Sequence, residues 1–241
     1  MDHKIRIWHF SDTHMRHSKI KPPDDIDIAI FSGDCSNPRD KYANEQEVLN
    51  FLCWYGMEVK SAHKIFVAGN HDTSIEGGFV NINKFKEHGI LYLENQSTEL
   101  HFTVNPVTQE TRSLKIWGSP ISPSFGEGWA FNRKRDKLYN LWQTIPEDTD
   151  IVITHGPPKG VLDLAYNGAG ELEFCGCNAL KNRILEIQPL ILMYGHIHDN
   201  DNIINAGYTK LSEYKTIFSN GSIVRDGDFN GRLNPGNIFE I

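Results

Sequence analysis

Ile26-Asp27-Ile28-Ala29-Ile30-Phe31-Ser32-Gly33-Asp34 joins an apolar run to a glycine and a carboxylate, the signature of an α/β chain with a site at a strand end. The apolar run from Ile26 to Phe31, broken only by Asp27, has the length of one strand. Being apolar at odd and even positions alike, it reads as a strand buried on both faces. A glycine and a carboxylate follow at once. The same pattern recurs on both sides of this segment. Lys4 to Phe10 alternates, is rich in Ile, Trp and Phe, and leads to Ser11-Asp12-Thr13-His14. Lys64 to Ala68 leads to Gly69-Asn70-His71-Asp72, Ile151 to Thr154 leads to His155-Gly156, and Leu190 to Tyr194 leads to Gly195-His196-Ile197-His198.

Between these strands lie helical patterns. Asn44 to Val59 places Val48, Leu49, Phe51, Leu52, Tyr55 and Val59 near helical spacing, with Glu45 and Glu47 at its start. Asn132 to Leu141 and Asn178 to Ile187 are the other expected helices, and Leu114 to Trp117 is a further strand. Ser119 to Gly128, with Pro120 and Pro123, reads as a loop, and the tail from Lys215 as short strands among glycines. Alternating strands and helices define an α/β chain. At 241 residues it could form one large domain or two small ones. With no repeat, low-complexity segment or linker, a single domain spanning 1–241 is expected.

Composition removes several functions. Apolar residues at 39% and aromatic residues at 11% exclude a disordered chain. No apolar run approaches the ~18 residues of a membrane span. Met1-Asp2-His3-Lys4 opens without an apolar leader, so a soluble, cytoplasmic protein is expected. A net charge of −7 lacks the field that drives binding to nucleic acid. Cys35, Cys53, Cys175 and Cys177 match neither a disulfide framework nor a zinc-finger spacing, and read as thiols in a reducing compartment.

The chemistry lies in the loops. In open α/β sheets ligands sit beyond the carboxyl ends of the strands, where these five loops can converge. Asp12/His14 and His196/His198 are spaced by two, so in extended chain each pair projects to one side. Asp12, His14, Asp34, Asn70, His155, His196 and His198 offer seven oxygen and nitrogen donors, too many for one tetrahedral ion and suited to two with a shared carboxylate. Imidazole with carboxylate favours manganese, iron, zinc, cobalt or nickel over calcium. Two divalent ions facing the charges of Asp12 and Asp34 stay net positive and attract a phosphate. His71, a spare imidazole beside Asn70, is the candidate general acid. The remaining histidines read as structural, Arg16, Lys19 and Lys21 as a solvated face, and Trp129 and Phe131 equally as core or substrate platform.

These motifs resemble the calcineurin-like metallophosphoesterase superfamily. Trp117-Gly118-Ser119-Pro120, Trp129-Ala130-Phe131-Asn132, Thr154-His155-Gly156-Pro157-Pro158, Leu162-Asp163 and Gly176-Cys177 further resemble the metallophosphoesterase-domain-containing proteins, related to class III cyclic-nucleotide phosphodiesterases. The resemblance implies a four-layer α-β-β-α sandwich, two mixed sheets flanked by helices. It also implies one metal on Asp12, His14 and His198, a second on Asn70, His155 and His196, Asp34 bridging, and His71 donating to the leaving group. Some members of the group lack the first histidine of the last motif, but His196 is present. Two positions depart from the phosphoprotein phosphatases of the superfamily. Asn37 stands where an aspartate would fall and Pro38 where an arginine would, which disfavours a phosphoprotein substrate. The expected activity is hydrolysis of a small phosphodiester, a cyclic nucleotide being one such substrate, by a metal-bridging hydroxide. The expected cofactors are two divalent transition-metal ions, manganese foremost. A nuclease of the same superfamily and a non-catalytic binding scaffold are the alternatives.

Overall fold

A computed structural model describes residues 3–105, 107–212, 214–227, 231 and 233–241. In chain order the strands are β1 (Arg6–Phe10), β2 (Ile26–Ser32), β3 (Ser61–Val67), β4 (Ile90–Tyr92), β5 (Gln96–Asn105), β6 (Glu110–Ser119), β7 (Ser122–Pro123) and β8 (Asn132–Arg133). They continue as β9 (Ile151–Thr154), β10 (Leu164–Tyr166), β11 (Leu172–Phe174), β12 (Ile191–Tyr194), β13 (Gly207–Lys210), β14 (Ile217–Asn220) and β15 (Asn237–Glu240). The helices are α1 (Lys41–Glu58), α2 (Thr73–Glu76), α3 (Asn83–Glu87), α4 (Leu138–Trp142) and α5 (Asn178–Ile187).

Two mixed sheets carry the chain. One runs β15-β1-β2-β3-β4, the other β13-β14-β12-β9-β6-β5. Strands β1 to β4 are mutually parallel and β15 closes the edge antiparallel. In the second sheet β6, β9, β12 and β14 are parallel, with β5 and β13 antiparallel at the edges.

Register decides what each face carries. Ile7 pairs with Ile28, and Ile30 with Ile65, on the inward face of the first sheet. Ile116 and Ile191 both pair with Ile151 on the inward face of the second. These residues form one buried aliphatic layer between the sheets, completed by Val67, Ile153 and Met193. The alternate residues face out. Phe10, Phe31 and Phe66 line up across the first sheet and meet Phe51 and Tyr55 of α1, with the Phe31 and Phe51 rings 4.4 Å apart. Trp117, Val152, Leu192 and Phe218 line up across the second and join the same buried cluster as Trp142 of α4 and Leu180 and Ile184 of α5. The result is the expected four-layer sandwich.

Three readings change. Helix α1 starts at Lys41, earlier than expected, because the Asp40 side chain caps it by accepting the Ala43 N–H. The stretch 132–141 is not one helix. Asn132–Arg133 pairs with Ser122–Pro123, a 3-10 turn follows over Arg135–Lys137, and only Leu138–Trp142 is α-helical. The β7–β8 pairing claims Asn132 before a helix can start, and it also puts a strand inside the expected 119–128 loop. Finally, β5 and β6 form a long hairpin of which the sequence pattern predicts only Leu114–Trp117. Among the described residues no helix is long and apolar enough to cross a membrane.

Tyr55 ties α1 to the first sheet: its hydroxyl lies 2.8 Å from the Ala29 carbonyl and 3.1 Å from that of Ile65. Tyr55→Phe is expected to cost about 1 kcal/mol of folding stability, read as a lower urea midpoint at unchanged denaturant slope.

Candidate metal centre

All five loops open at the carboxyl ends of parallel strands from the two sheets, and they meet. Three groups of side chains bring their donor atoms within 4.8 Å of one another: Asp12, His14 and His198; His14, Asp34 and His71; and Asp34, His155 and His196. Asn70 joins the last, its Oδ1 2.8 Å from His155 Nε2. Every site residue expected from the sequence is therefore in one cluster. Asp12, Asp34, Asn70 and His155 are buried; His14, His71, His196 and His198 are half-buried.

The backbone that delivers these side chains is bent unusually. Asp12, His14, Asp34 and His196 have φ of 53°, 42°, 62° and 73°, in the left-handed region that costs a residue with a Cβ roughly 1–2 kcal/mol. Close approach demands glycine beside them. Gly33 has φ of 104°, and a Cβ there would lie 2.5 Å from His155 Nδ1. A Cβ on Gly195 would run into the Asp12 carboxylate.

Asp72 is the anchor of the arrangement. Buried, it accepts the backbone N–H groups of Asp34 (3.0 Å), Cys35 (3.1 Å), Ser36 (3.3 Å) and Gly69 (2.8 Å), and the Ser36 hydroxyl (2.8 Å). It thereby fixes the loop after β2 to the loop after β3. The Asp34 carboxylate in turn accepts the His71 N–H at 2.7 Å, and Asp12 accepts that of His196.

The rings are oriented by their outer nitrogens. His155 Nδ1 lies 2.9 Å from the Ser32 carbonyl, which can only accept, so the ring donates there and its Nε2 faces inward. His198 Nδ1 lies 2.7 Å from the Asp226 carboxylate, His14 Nδ1 lies 3.0 Å from Asn37 Oδ1, and His71 Nδ1 lies 3.3 Å from the Asn37 carbonyl. The inner nitrogens then meet acceptors. His155 Nε2 is 3.3 Å from Asp34, and His198 Nε2 is 3.3 Å from Asp12 and 3.4 Å from His14 Nε2. Lone pairs aimed at one another call for a cation between them, and outer partners that fix imidazole orientation are the usual support of metal ligands. The donor set fits divalent ions bound by imidazole and carboxylate.

Without metal, protons take that place. Burial raises a carboxyl, yet His198, by hydrogen bond and charge, holds Asp12 down at about 2. Burial likewise opposes ionisation of Asp34, but His155, then His71 and His14, bring it well below the usual carboxylate range. Burial lowers an imidazole, yet Asp34 lifts His155 to about 9, and Asp12 with Asp226 lifts His198 to about 10. His196 falls to about 3 through burial and the charge of His155.

Two cavities adjoin the cluster without sharing a lining residue. One, of about 410 Å³, has His14, Asn37, His71 and His198 with Arg16 and Arg225 on its wall. The other, of about 370 Å³, reaches His196 and is lined by Phe125, Tyr166, Pro123 and Pro157 among others. A third, of about 420 Å³, touches His196 and His198 and links them.

Several expectations are refined. Phe131 is core at 1% exposure, whereas the half-buried Trp129 ring stands 4.4 Å from that of His71, under the Arg39 guanidinium. Lys19 and Lys21 are exposed, but Arg16 is half-buried and donates to the Gly231 carbonyl at 2.6 Å. Asn37 divides its work, the side chain holding His14 and the carbonyl holding His71. Asp226 is silent in the sequence, since a lone carboxylate far along the chain carries no local signal. Asp72 was visible in its motif, but nothing in the sequence marks it as an anchor. All four cysteines are free thiols.

The calcineurin-like phosphoesterase model matches residues 5–200, and the chain belongs to that family, which is metal-dependent. Among curated proteins it is 31% identical over 88% of its length to metallophosphoesterase domain-containing protein 1 of Homo sapiens, spanning 64% of that protein. It is 34% identical over 82% of its length to the protein named Probable rhamnogalacturonate lyase C of Emericella nidulans, spanning only 17% of it. The chain thus covers less than two thirds of these relatives. A solved structure at 13% identity superposes with a TM-score of 0.58 over 90% of both chains, in keeping with the fold.

Asp72→Ala would leave four buried N–H groups without their acceptor. At roughly 1–3 kcal/mol for each unsatisfied group, partly relieved by entering water, about 3 kcal/mol or more of stability is expected to be lost, measured by urea unfolding of metal-free protein.

Proposed function

We propose that this chain is a metal-dependent hydrolase of small phosphodiesters, active as a single domain over 1–241. Family membership supports phosphoester hydrolysis. The observation that favours a diester is the pair of unshared cavities flanking the cluster, which offers room for a substituent on each side of a phosphorus held between them. Net charge −7 disfavours a polynucleotide, and four free thiols suit a reducing, cytoplasmic setting.

Asp12, His14 and His198 would hold one ion, Asn70, His155 and His196 the other, with Asp34 shared. When bound, two divalent ions, manganese foremost or iron, zinc, nickel or cobalt, would polarise the phosphoryl oxygens and ready a water for attack. The chain itself does the rest. Ser32, Asp226 and Asn37 keep His155, His198 and His14 turned inward. As the oxygen of water bonds to phosphorus, the bond from phosphorus to the leaving oxygen breaks. His71 stands beside the cluster with Nδ1 directed to the Asn37 carbonyl, its ring braced between Trp129 and His14. In the protonated ring, with Nδ1–H held by the Asn37 carbonyl, Nε2 would give its proton to the departing alkoxide while the attacking water sheds one of its own, leaving a phosphomonoester, an alcohol and a neutral His71 that the released proton restores.

Asp34→Ala is expected to lose bound metal and turnover together, measured by elemental analysis and diester hydrolysis. Near-normal activity in that variant would sink the two-metal reading. Chelation should lower the wild-type Tm, and re-adding metal should restore it, while Asp34→Ala shows neither response. Wild-type protein that holds metal yet cleaves no phosphoester would favour the scaffold.

His71→Ala tests the proton donor through the leaving group. For an alkoxide, kcat should fall about 10²–10⁴-fold, the usual worth of a positioned acid. For 4-nitrophenolate, which departs without a proton, the loss should be much smaller. Equal losses on both substrates would remove His71 from that role.

A further inference from the structure

We infer that the cavity beside His196 is a subsite for a planar aromatic substituent of the phosphodiester, the one retained on phosphorus, with Phe125 and Tyr166 as its recognition surfaces. The inference rests on the phosphodiesterase reading above and adds what that reading leaves open, the chemistry of the second substituent.

Phe125 is 52% exposed and Tyr166 48% exposed. A single exposed aromatic side chain is ordinary. Here two, carried by segments far apart in sequence, line the same cavity, and that cavity ends at His196 of the metal cluster. The Phe125 ring stands 5.0 Å from the His196 ring and 5.8 Å from that of Trp129, so the aromatic surface runs on to the cluster without a break.

Both segments are held in place. Ser122 and Ser124 donate to the Phe131 and Arg133 carbonyls, and the Ala130 N–H donates to the Asn70 carbonyl at 3.0 Å. The loop bearing Phe125 is thereby fixed to the loop bearing a candidate ligand. Tyr166 ends β10, pairs with Leu172 of β11, and leads into a turn closed by Asn167 and Glu171. Pro123 and Pro157 add rigid apolar walls.

Both cavities carry charged side chains, and what orients the substrate is that only one of them is lined by His71. The one beside His71 carries Arg16 and Arg225 and takes the leaving group, next to the proton donor. The one beside His196 carries Arg135 and Glu173, but the Arg135 guanidinium donates to the Gly176 and Cys175 carbonyls, and Phe125 and Tyr166 are the flat faces it presents. Stacking on such faces is sequence-tolerant and depends on a flat ring more than on its hydrogen-bonding edge. An aryl or heteroaryl diester therefore fits better than a dialkyl one.

Phenyl 4-nitrophenyl phosphate and methyl 4-nitrophenyl phosphate release the same 4-nitrophenolate and differ only in the retained group. Wild type is expected to favour the phenyl ester in kcat/KM, mostly through KM. Phe125→Ala should cut the phenyl-to-methyl ratio about tenfold, the order of losing one stacked ring, and Phe125→Tyr should keep it. A ratio unchanged in Phe125→Ala, including an equal loss on both esters, overturns the subsite. Should wild type cleave neither ester, the phosphodiesterase reading fails separately. The subsite is then read by calorimetric binding of phenylphosphonate and methylphosphonate to metal-loaded protein. A phenyl preference lost in Phe125→Ala upholds it, and equal affinities overturn it.

Discussion

Two buried carboxylates, Asp12 and Asp34, set the terms for the rest of the structure. Each sits at the carboxyl end of a central strand, out of water, where an unpaired negative charge is not sustainable. Each is compensated from the opposite sheet, Asp34 by His155 and Asp12 by His198, both at 3.3 Å. Those imidazoles can face inward only because something else fixes their outer nitrogens. The requirement therefore propagates to the Ser32 carbonyl and to Asp226. An arrangement that needs positive charge at its centre, supplied by protons when nothing else is present, is preorganised for cations.

Holding it costs backbone strain at four of the cluster's own residues, and the compensation is local. Asp72 gathers N–H groups from both neighbouring loops, Asn44 donates to the His71 carbonyl at 2.7 Å, and the Asp34 carboxylate accepts the His71 N–H. Hydrogen bonds to a buried carboxylate are stronger than neutral ones. A handful of them can hold several left-handed residues that would otherwise relax. The strain lies where side chains must converge from adjacent strands, which is where it would serve a site.

This geometry explains what the sequence shows and what it hides. Asp12, His14, Asp34, Asn70, His155, His196 and His198 are legible because each follows an apolar run, and in a parallel sheet the ends of such runs share one edge. Helix α5 is legible from its spacing. The 132–141 stretch is not, because Asn132 is claimed by a strand partner ten residues earlier, and non-local pairing overrides local propensity. Strand β5 carries a weak alternation at Leu100, Phe102 and Val104 that matters only once β6 lies beside it. Asp226 is silent for a similar reason: its role exists only through His198, 28 residues away in sequence. Asn37 is legible as a departure from the family pattern, but its division between side chain and carbonyl exists only once the loop after β2 meets His14 and His71.

The cluster also straddles the seam of the sandwich. The first sheet supplies Asp12, His14, Asp34, Asn70 and His71; the second supplies His155, His196 and His198. Every carboxylate–imidazole contact described above between Asp12 or Asp34 and a ring of the second sheet thus crosses from one sheet to the other, and no loop alone sets its length. What sets it is the aliphatic layer beneath, where Ile30 and Ile65 face a layer built around Ile151, Ile153 and Met193. β-Branched side chains have few rotamers and pack at near-crystalline density, so such a layer is stiff. The same residues that give the chain its core thus also space its charges, which is how five loops from two sheets meet in one cluster.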